Sequence, residues 1–169
     1  MSHLIVGVDP GPEASALVIW SHEHRRVVHC AYLPNEELRM AMLRDPLMLA
    51  GRDFPIPLAI EWVKSYGMAV GQAVFETCRW VGRLEEAWLT RCAVSAKLVT
   101  NVEVRLAICG SPKASQGNIR LAIVDALGGK AQAIGTKRGP GPLYGVKNHL
   151  WSALAVAITA SPENSRWLL

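Results

Sequence analysis

The sequence predicts one α/β domain built on a mixed central sheet, with three antiparallel strands first and parallel ones after them. Three observations predict it. The 169 residues are 50% hydrophobic and 19% charged, which suits a globular chain with a real core and excludes disordered, collagen-like and low-complexity chains. Three short β-rich runs crowd the first 32 residues, separated by turn signals. From residue 58 onward, short apolar runs alternate with stretches of helical period, the pattern of strands joined by crossovers.

Leu4–Asp9 is an apolar run closed by Pro10-Gly11, a buried strand ending in a turn. Ala16–Trp20 and Arg26–Tyr32 flank the polar break His22-Glu23-His24-Arg25 and read as two antiparallel strands joined by a turn. Asn35–Leu43 reads as a short helix, with Asn35 able to cap its first amides. Residues 44–57 carry Pro46, Gly51, Pro55 and Pro57 and read as loop. Leu58–Trp62 is another strand, and it holds one charge, Glu61.

From Met68 to about Cys92 the spacing predicts a long amphipathic helix. Val74, Cys78 and Val81, with Phe75 beside them, form its apolar face; Glu76, Arg79, Arg83 and Glu86 form the opposite one. Val102–Ile108 reads as a strand. Ser115–Leu127 reads as a helix stopped by Gly128-Gly129. Residues 135–146, GTKRGPGPLYGV, form a basic Gly/Pro-rich loop, and Asn148–Ala160 returns to helical spacing with Leu150, Leu154, Ala157 and Ile158 on one face. No repeat or linker divides the chain, so residues 1–169 are expected to be a single domain.

Several classes are excluded by composition. No window approaches ~18 uninterrupted apolar residues, so no membrane-spanning helix is expected. The start, MSHLIVGVDPG, lacks the basic n-region of a signal peptide. Cys30, Cys78, Cys92 and Cys109 include no CxxC, which argues for buried thiols in a reducing, cytoplasmic setting and against a zinc ribbon or disulfide framework. Charge is unevenly placed. Residues 1–96 hold 9 basic and 11 acidic side chains, whereas residues 97–147 hold 8 basic and 2 acidic ones. A basic segment of net +6 suits an acidic partner, phosphate being the usual acid.

Three residues stand out as carriers of chemistry. Asp9 puts a carboxylate at the end of an apolar strand, where burial is costly unless something positive lies beside it; it is either a turn residue or part of a charged site. Glu61 repeats the pattern near the end of a second apolar strand. If the two strands are neighbours, the carboxylates converge and a divalent cation relieves their repulsion; otherwise Glu61 is an edge residue paired with a Lys or Arg. His149, early in the last helix with Ser152 on its face, is a ligand or a core histidine. His22-x-His24 reads as an exposed turn.

Asp9, Glu61 and His149 on this order of elements resemble the RNase H-like nuclease superfamily, and within it the phage-encoded branch of RuvC-type Holliday junction resolvases. The resemblance runs through LIVGVDPGPEASALVIW (4–20), LAIEWVKSYGM (58–68), VGQAVFETCRWVGRLEEAW (70–88), SPKASQGNIRLAIVDALGG (111–129) and GPGPLYGVKNHLWSALAVAIT (139–159). It implies an RNase H-like fold with helices on both faces of the sheet, and a site of acidic residues binding two divalent ions, Mg²⁺ or Mn²⁺. By position Asp9 matches the first-strand Asp, Glu61 the later Glu, and His149 the ligand of the last helix. Ser152 stands where many members have a second Asp, which makes the site less anionic.

The resemblance further implies phosphodiester hydrolysis at a four-way DNA junction by a homodimer, whose paired sites nick two opposed strands. It implies DNA contacts from Lys113, Arg120, Lys137, Arg138 and Lys147. Where the family has an aromatic three residues after the Glu, this chain has Lys64; Tyr66 and Trp62 are candidates to stack on an unpaired base. Arg79 and Arg83 are further candidates for phosphate contact, although their helix resembles the family's dimerisation element. Two other functions remain open, a branched-DNA binder that no longer cuts and a nuclease for RNA or RNA–DNA hybrids. The DPG turn also occurs in actin-like ATPases, but 169 residues are too few for their two lobes.

Overall fold

The computed structural model describes residues 3–44, 56–64, 67 and 69–162. Five strands form one sheet: β1 (Leu4–Asp9), β2 (Ala14–Ser21), β3 (Arg26–Pro34), β4 (Leu58–Trp62) and β5 (Lys97–Thr100). Their order is β3-β2-β1-β4-β5. The first three form an antiparallel meander, while β4 runs parallel to β1 and β5 parallel to β4. Six helices complete the described chain: α1 (Asn35–Arg44), α2 (Gln72–Cys92), α3 (Asn101–Cys109), α4 (Gln116–Ala126), the single turn α5 (Lys130–Ala133) and α6 (Leu150–Ala160).

Strand alternation sorts side chains into two cores. Leu4, Val6 and Val8 of β1, Leu17 and Ile19 of β2, and Leu58 and Ile60 of β4 pack against α1 and α2, through Leu38, Met42, Val81, Leu84 and Trp88. On the other face Ile5, Ala16, Val18, Trp20 and Ala59 pack against α6, α3 and α4. The sheet is therefore covered on both sides, as expected. β1 is apolar on both faces because it is the central strand. Gly7, on the α6 side, lets the two backbones meet: a Cβ there would lie 2.2 Å from the Ala153 carbonyl oxygen.

Three expectations need correction. Val102–Ile108 lies within α3, not a strand; the strand is β5, just before it. Thr100 and Glu103 form a capping box that starts the helix, and Val104 and Ile108, four residues apart, face the core. Asn35 does not cap α1. It is buried, accepts a 2.5 Å hydrogen bond from Ser15 Oγ and donates a 2.9 Å one to the Gly11 carbonyl, tying the turn after β1 to α1. The apolar face of α2 is Thr77, Val81, Leu84, Ala87 and Trp88, leaving Phe75 58% exposed.

Other expectations hold. Ser115 caps α4 in a second capping box with Asn118, and Gly128 and Gly129 follow the helix with positive φ. The four cysteines are free, but half-buried rather than buried as expected. No described helix is long and apolar enough to cross a membrane. Residues 135–141 close a tight hairpin in which Thr136 and Gly139 exchange backbone hydrogen bonds. Just beyond it, the Pro142 carbonyl accepts from the Val27 amide at the start of β3.

Candidate active site

Asp9 and Glu61 reach one place because of register. β1 and β4 are parallel neighbours, and Val8 pairs with Ile60, so the next residue on each strand is Asp9 and Glu61. Both follow residues that point toward α2, so both carboxylates point toward α6. The chain turns away immediately after Asp9, at a loop pinned by Asn35 and by the Gly11 amide donating to Ser15 Oγ at 3.3 Å. The end of β4 is fixed from its other side. Asn101, the first residue of α3, donates its Nδ2 to Glu61 Oε1 at 3.0 Å.

The last helix supplies the third side. His149 is its N-cap, placed by a left-handed turn at Asn148 (φ 48°) rather than lying within the helix. Its Nδ1 is 3.4 Å from Asp9 Oδ2. Ser152, one turn on, hydrogen-bonds to Asp9. Tyr32 of β3 stacks on the His149 ring, with centroids 5.4 Å apart and planes 11° from parallel. Two open clefts meet at His149. One, of about 410 Å³, is lined by Asp9, the Pro10–Ala14 turn, Tyr32, Val63 and Thr77; the other, of about 700 Å³, by Gln116, Gly117, Arg120, Asn148, Trp151 and Ser152.

Electrostatics mark Asp9 as the unusual group. Burial, then the charge of Glu61 and a hydrogen bond with it, push its carboxyl up to about 8; only the hydrogen bond to Ser152 works against them. Among the described residues no Lys or Arg forms an ion pair with Asp9 or Glu61. Two carboxylates forced together without a cationic side chain are chemically suited to a divalent cation. Among the described residues, however, no three His, Cys, Asp or Glu side chains are gathered tightly enough to hold one as they stand.

The shift has a measurable consequence. A carboxyl protonated in the folded protein up to about pH 8, but ionised when unfolded near its ordinary 3.8, contributes stability in full below that lower value. The contribution is lost as pH rises toward 8. Without divalent cations, the urea midpoint of the wild type is expected to fall between pH 5 and pH 8, by about 2–4 kcal/mol of stability. Asp9→Asn should flatten that profile and be the more stable protein at pH 8.

The basic candidates are distributed unequally. Arg120 lines the larger cleft, its guanidinium 4.9 Å from the centre of the Trp151 ring. Lys147 is exposed two residues before His149, and Lys64 is exposed just past β4. Lys113 is exposed in the loop between α3 and α4. Lys137 and Arg138 sit at the exposed hairpin corner, whose following Pro142 is anchored at the Val27 end of β3, five residues along the strand from Tyr32. Tyr66 lies outside the described residues. Trp62 packs against the α1–α2 core and Trp151 is buried in the other one. Arg83 is engaged within the fold, 2.9 Å from Glu36 and stacked over Trp80. Arg79, with its side chain 67% exposed, lies 3.6 Å from Glu76.

Sequence reasoning missed Tyr32 and Asn101. Neither carries a local signal, because each matters only through strand register or a contact across the sheet. A capping-box reading of Thr100-x-x-Glu103 would have found the start of α3, and with it Asn101.

A mixed sheet of this order with helices on both faces makes an α/β protein of RNase H-like fold, and the carboxylate pair lies at the ends of its adjacent parallel strands. The chain has a RuvC-type fold. It is similar to RuvC of Thermus thermophilus in complex with a Holliday junction substrate, at 18% identity and a TM-score of 0.64, covering 94% of this chain and 92% of that one. A second Thermus thermophilus RuvC structure gives 19% identity and a TM-score of 0.65, covering 92% of each chain. No protein-family model and no curated protein matches the sequence.

Proposed function

We propose that this chain is a divalent-cation-dependent endonuclease that resolves four-way DNA junctions by paired, symmetric nicks. The observation that carries the reading is the meeting of Asp9 and Glu61 on adjacent parallel strands of a RuvC-type fold. The Thermus thermophilus relative was solved with Holliday junction DNA, which supports the same substrate class here. Asp9, Glu61, His149 and Ser152 are the residues that would hold two ions. Mg²⁺ or Mn²⁺ bound there supplies charge stabilisation of the phosphate and a more acidic water.

The chain's own groups do the rest. Asn101 fixes the Glu61 carboxylate and Ser152 hydrogen-bonds to Asp9, so both acids are held before substrate arrives. With Nδ1 directed at Asp9, the His149 imidazole keeps Nε2 for one of two exclusive roles, to hold an ion or to accept a proton from the attacking water. Arg120 and Lys147 flank that place and hold phosphates on either side of the cut. Lys64 and Lys113 extend the contact, and Lys137 and Arg138 grip a duplex arm. Tyr66 is the candidate wedge at the crossover.

Two copies suit a substrate with two-fold symmetry. Exposed Phe75 and Leu89 on the solvent side of α2 support pairing along that helix. The setting is the cytoplasm of a bacterial or phage-infected cell, where such junctions arise.

The deciding experiment is cleavage of a synthetic immobile junction, each strand labelled in turn, with Mg²⁺, Mn²⁺ or chelator. Symmetric nicks dependent on the cation are expected. Absence of product with both ions overturns the reading, and binding without cutting leaves the second one, a junction binder. Ser152, in place of a second carboxylate, favours that alternative. Preferential cleavage of RNA or an RNA–DNA hybrid in competition would redirect the substrate class.

Phosphate binding gives a further expected result. Replacing both Lys137 and Arg138 by Gln should weaken binding to all junction sequences alike. It should also flatten the slope of log affinity against log salt by about 2, one unit for each side-chain cation withdrawn from a phosphate. Binding titrations at four salt concentrations measure this directly, and an unchanged slope excludes the hairpin from the interface.

A further inference from the structure

His149 is a poorly restrained residue by its own backbone. It caps α6 without a side-chain capping bond, its side chain is 65% exposed, and among the described residues the imidazole's one polar contact is the 3.4 Å approach to Asp9. An imidazole held by a single edge contact swings freely about its side-chain torsions. The sheet beneath it is organised to prevent that. Asp9 pairs with Ala16 on β2, and Ala16 pairs with Tyr32 on β3. Residues directly opposite one another across strands project from the same face, so Asp9, Ala16 and Tyr32 form a row toward α6.

The chemistry of that row is specific. Its ends are a carboxylate and an aromatic ring, two strand spacings or about 10 Å apart. Its middle is a methyl group, fully buried. The small Ala16 side chain does not crowd a ring that reaches from one end of the row to the other. The imidazole meets both ends of the row, one edge toward Asp9 and one face, 11° from parallel, against the Tyr32 ring. Tyr32 is 54% exposed although it sits on a strand, so burial alone does not account for a large aromatic here. A flat ring offset-stacked on an imidazole restricts its tilt while leaving its in-plane edges free for hydrogen bonds and ligands.

We propose that Tyr32 is a positioning residue, and that Asp9, Ala16 and Tyr32 together form a seat that sets the orientation of His149 toward the reacting phosphate. The role is that of the ring face, not of the phenol hydroxyl. It rests on the endonuclease reading for its purpose, but the seat itself exists without substrate or ions.

Two variants and two readouts test it. In the cation-free wild type at one fixed pH, NMR should show cross-peaks between the ring protons of Tyr32 and His149, with the His149 signals shifted upfield by the stacked ring. Tyr32→Phe should keep the shift, and Tyr32→Leu should lose it while amide signals away from the site stay in place. In junction cleavage, Tyr32→Leu should lower kcat roughly tenfold to a hundredfold, the scale expected when a reacting group is misplaced by about an ångström. Junction affinity should remain unchanged and Tyr32→Phe should restore the rate. An unshifted His149 in Tyr32→Leu overturns the seat. A Tyr32→Phe defect as large as that of Tyr32→Leu overturns the ring-face role in favour of the hydroxyl. A wild type that cleaves no junction sinks the endonuclease reading, while the NMR comparison still decides the seat.

Discussion

Asp9→Asn is expected to abolish junction cleavage, by at least about a thousandfold, while junction binding survives. The size follows from what the substitution removes. Asp9, half-buried, is the member of the acid pair that partners both His149 Nδ1 and Ser152, so one exchange weakens cation binding and the orientation of both helix residues together. Asn retains the shape and leaves an uncharged amide that fits the same space, so the fold is kept. Binding is expected to persist because the basic side chains assigned to phosphate lie on other elements. The check is a gel-shift titration beside single-turnover cleavage in Mg²⁺ and Mn²⁺. Equal turnover by variant and wild type in either ion would falsify the assignment.

The largest effect on stability is expected at Gly7. Any Cβ there would lie 2.2 Å from the Ala153 carbonyl oxygen and 2.7 Å from the Ala157 Cβ and amide nitrogen, all on the most apolar helix of the protein. Neither partner can yield. One is helix backbone, and the other belongs to a fully buried residue whose neighbours are themselves packed. Gly7→Val should therefore cost more than about 4 kcal/mol, most of the stability of a domain at the lower end of the ordinary range. Gly82→Ala on α2 is the contrast, since nothing lies within 4 Å of the added methyl. It should stabilise by roughly 0.5–1 kcal/mol through helix propensity. Urea unfolding of both variants compares them; a Gly7→Val protein with a near-native midpoint would show that β1 and α6 are less closely joined than described.

How much of this was legible in the chain depended on whether the signal was local. β1 with Asp9, and β4 with Glu61, were legible because a lone acid in an apolar run stands out without knowledge of its neighbours. Their convergence required only that the strands be adjacent. α3 was misread because Val102, Val104, Leu106 and Ile108 alternate like a strand, while Val104 and Ile108 also satisfy a helical spacing; the capping residues were the better guide. The rotation of α2 was misjudged because Phe75 is large and apolar but faces solvent, while Thr77 and Ala87 face the core. Tyr32 and Asn101 were invisible for a different reason. Their partners are 117 and 40 positions away, and only the register of the folded sheet brings them together.

The two margins of the sheet bear on how copies of this protein meet. An unpaired strand edge is a template on which another chain can add a strand, and proteins that avoid this shorten, charge or cover it. Here β5 is four residues long and begins with Lys97, whereas β3 has the amide of Val27 occupied by the carbonyl of Pro142. Sheet-to-sheet extension is thereby disfavoured at both ends. What these edges leave for any contact between copies is side-chain packing between helices rather than strand addition.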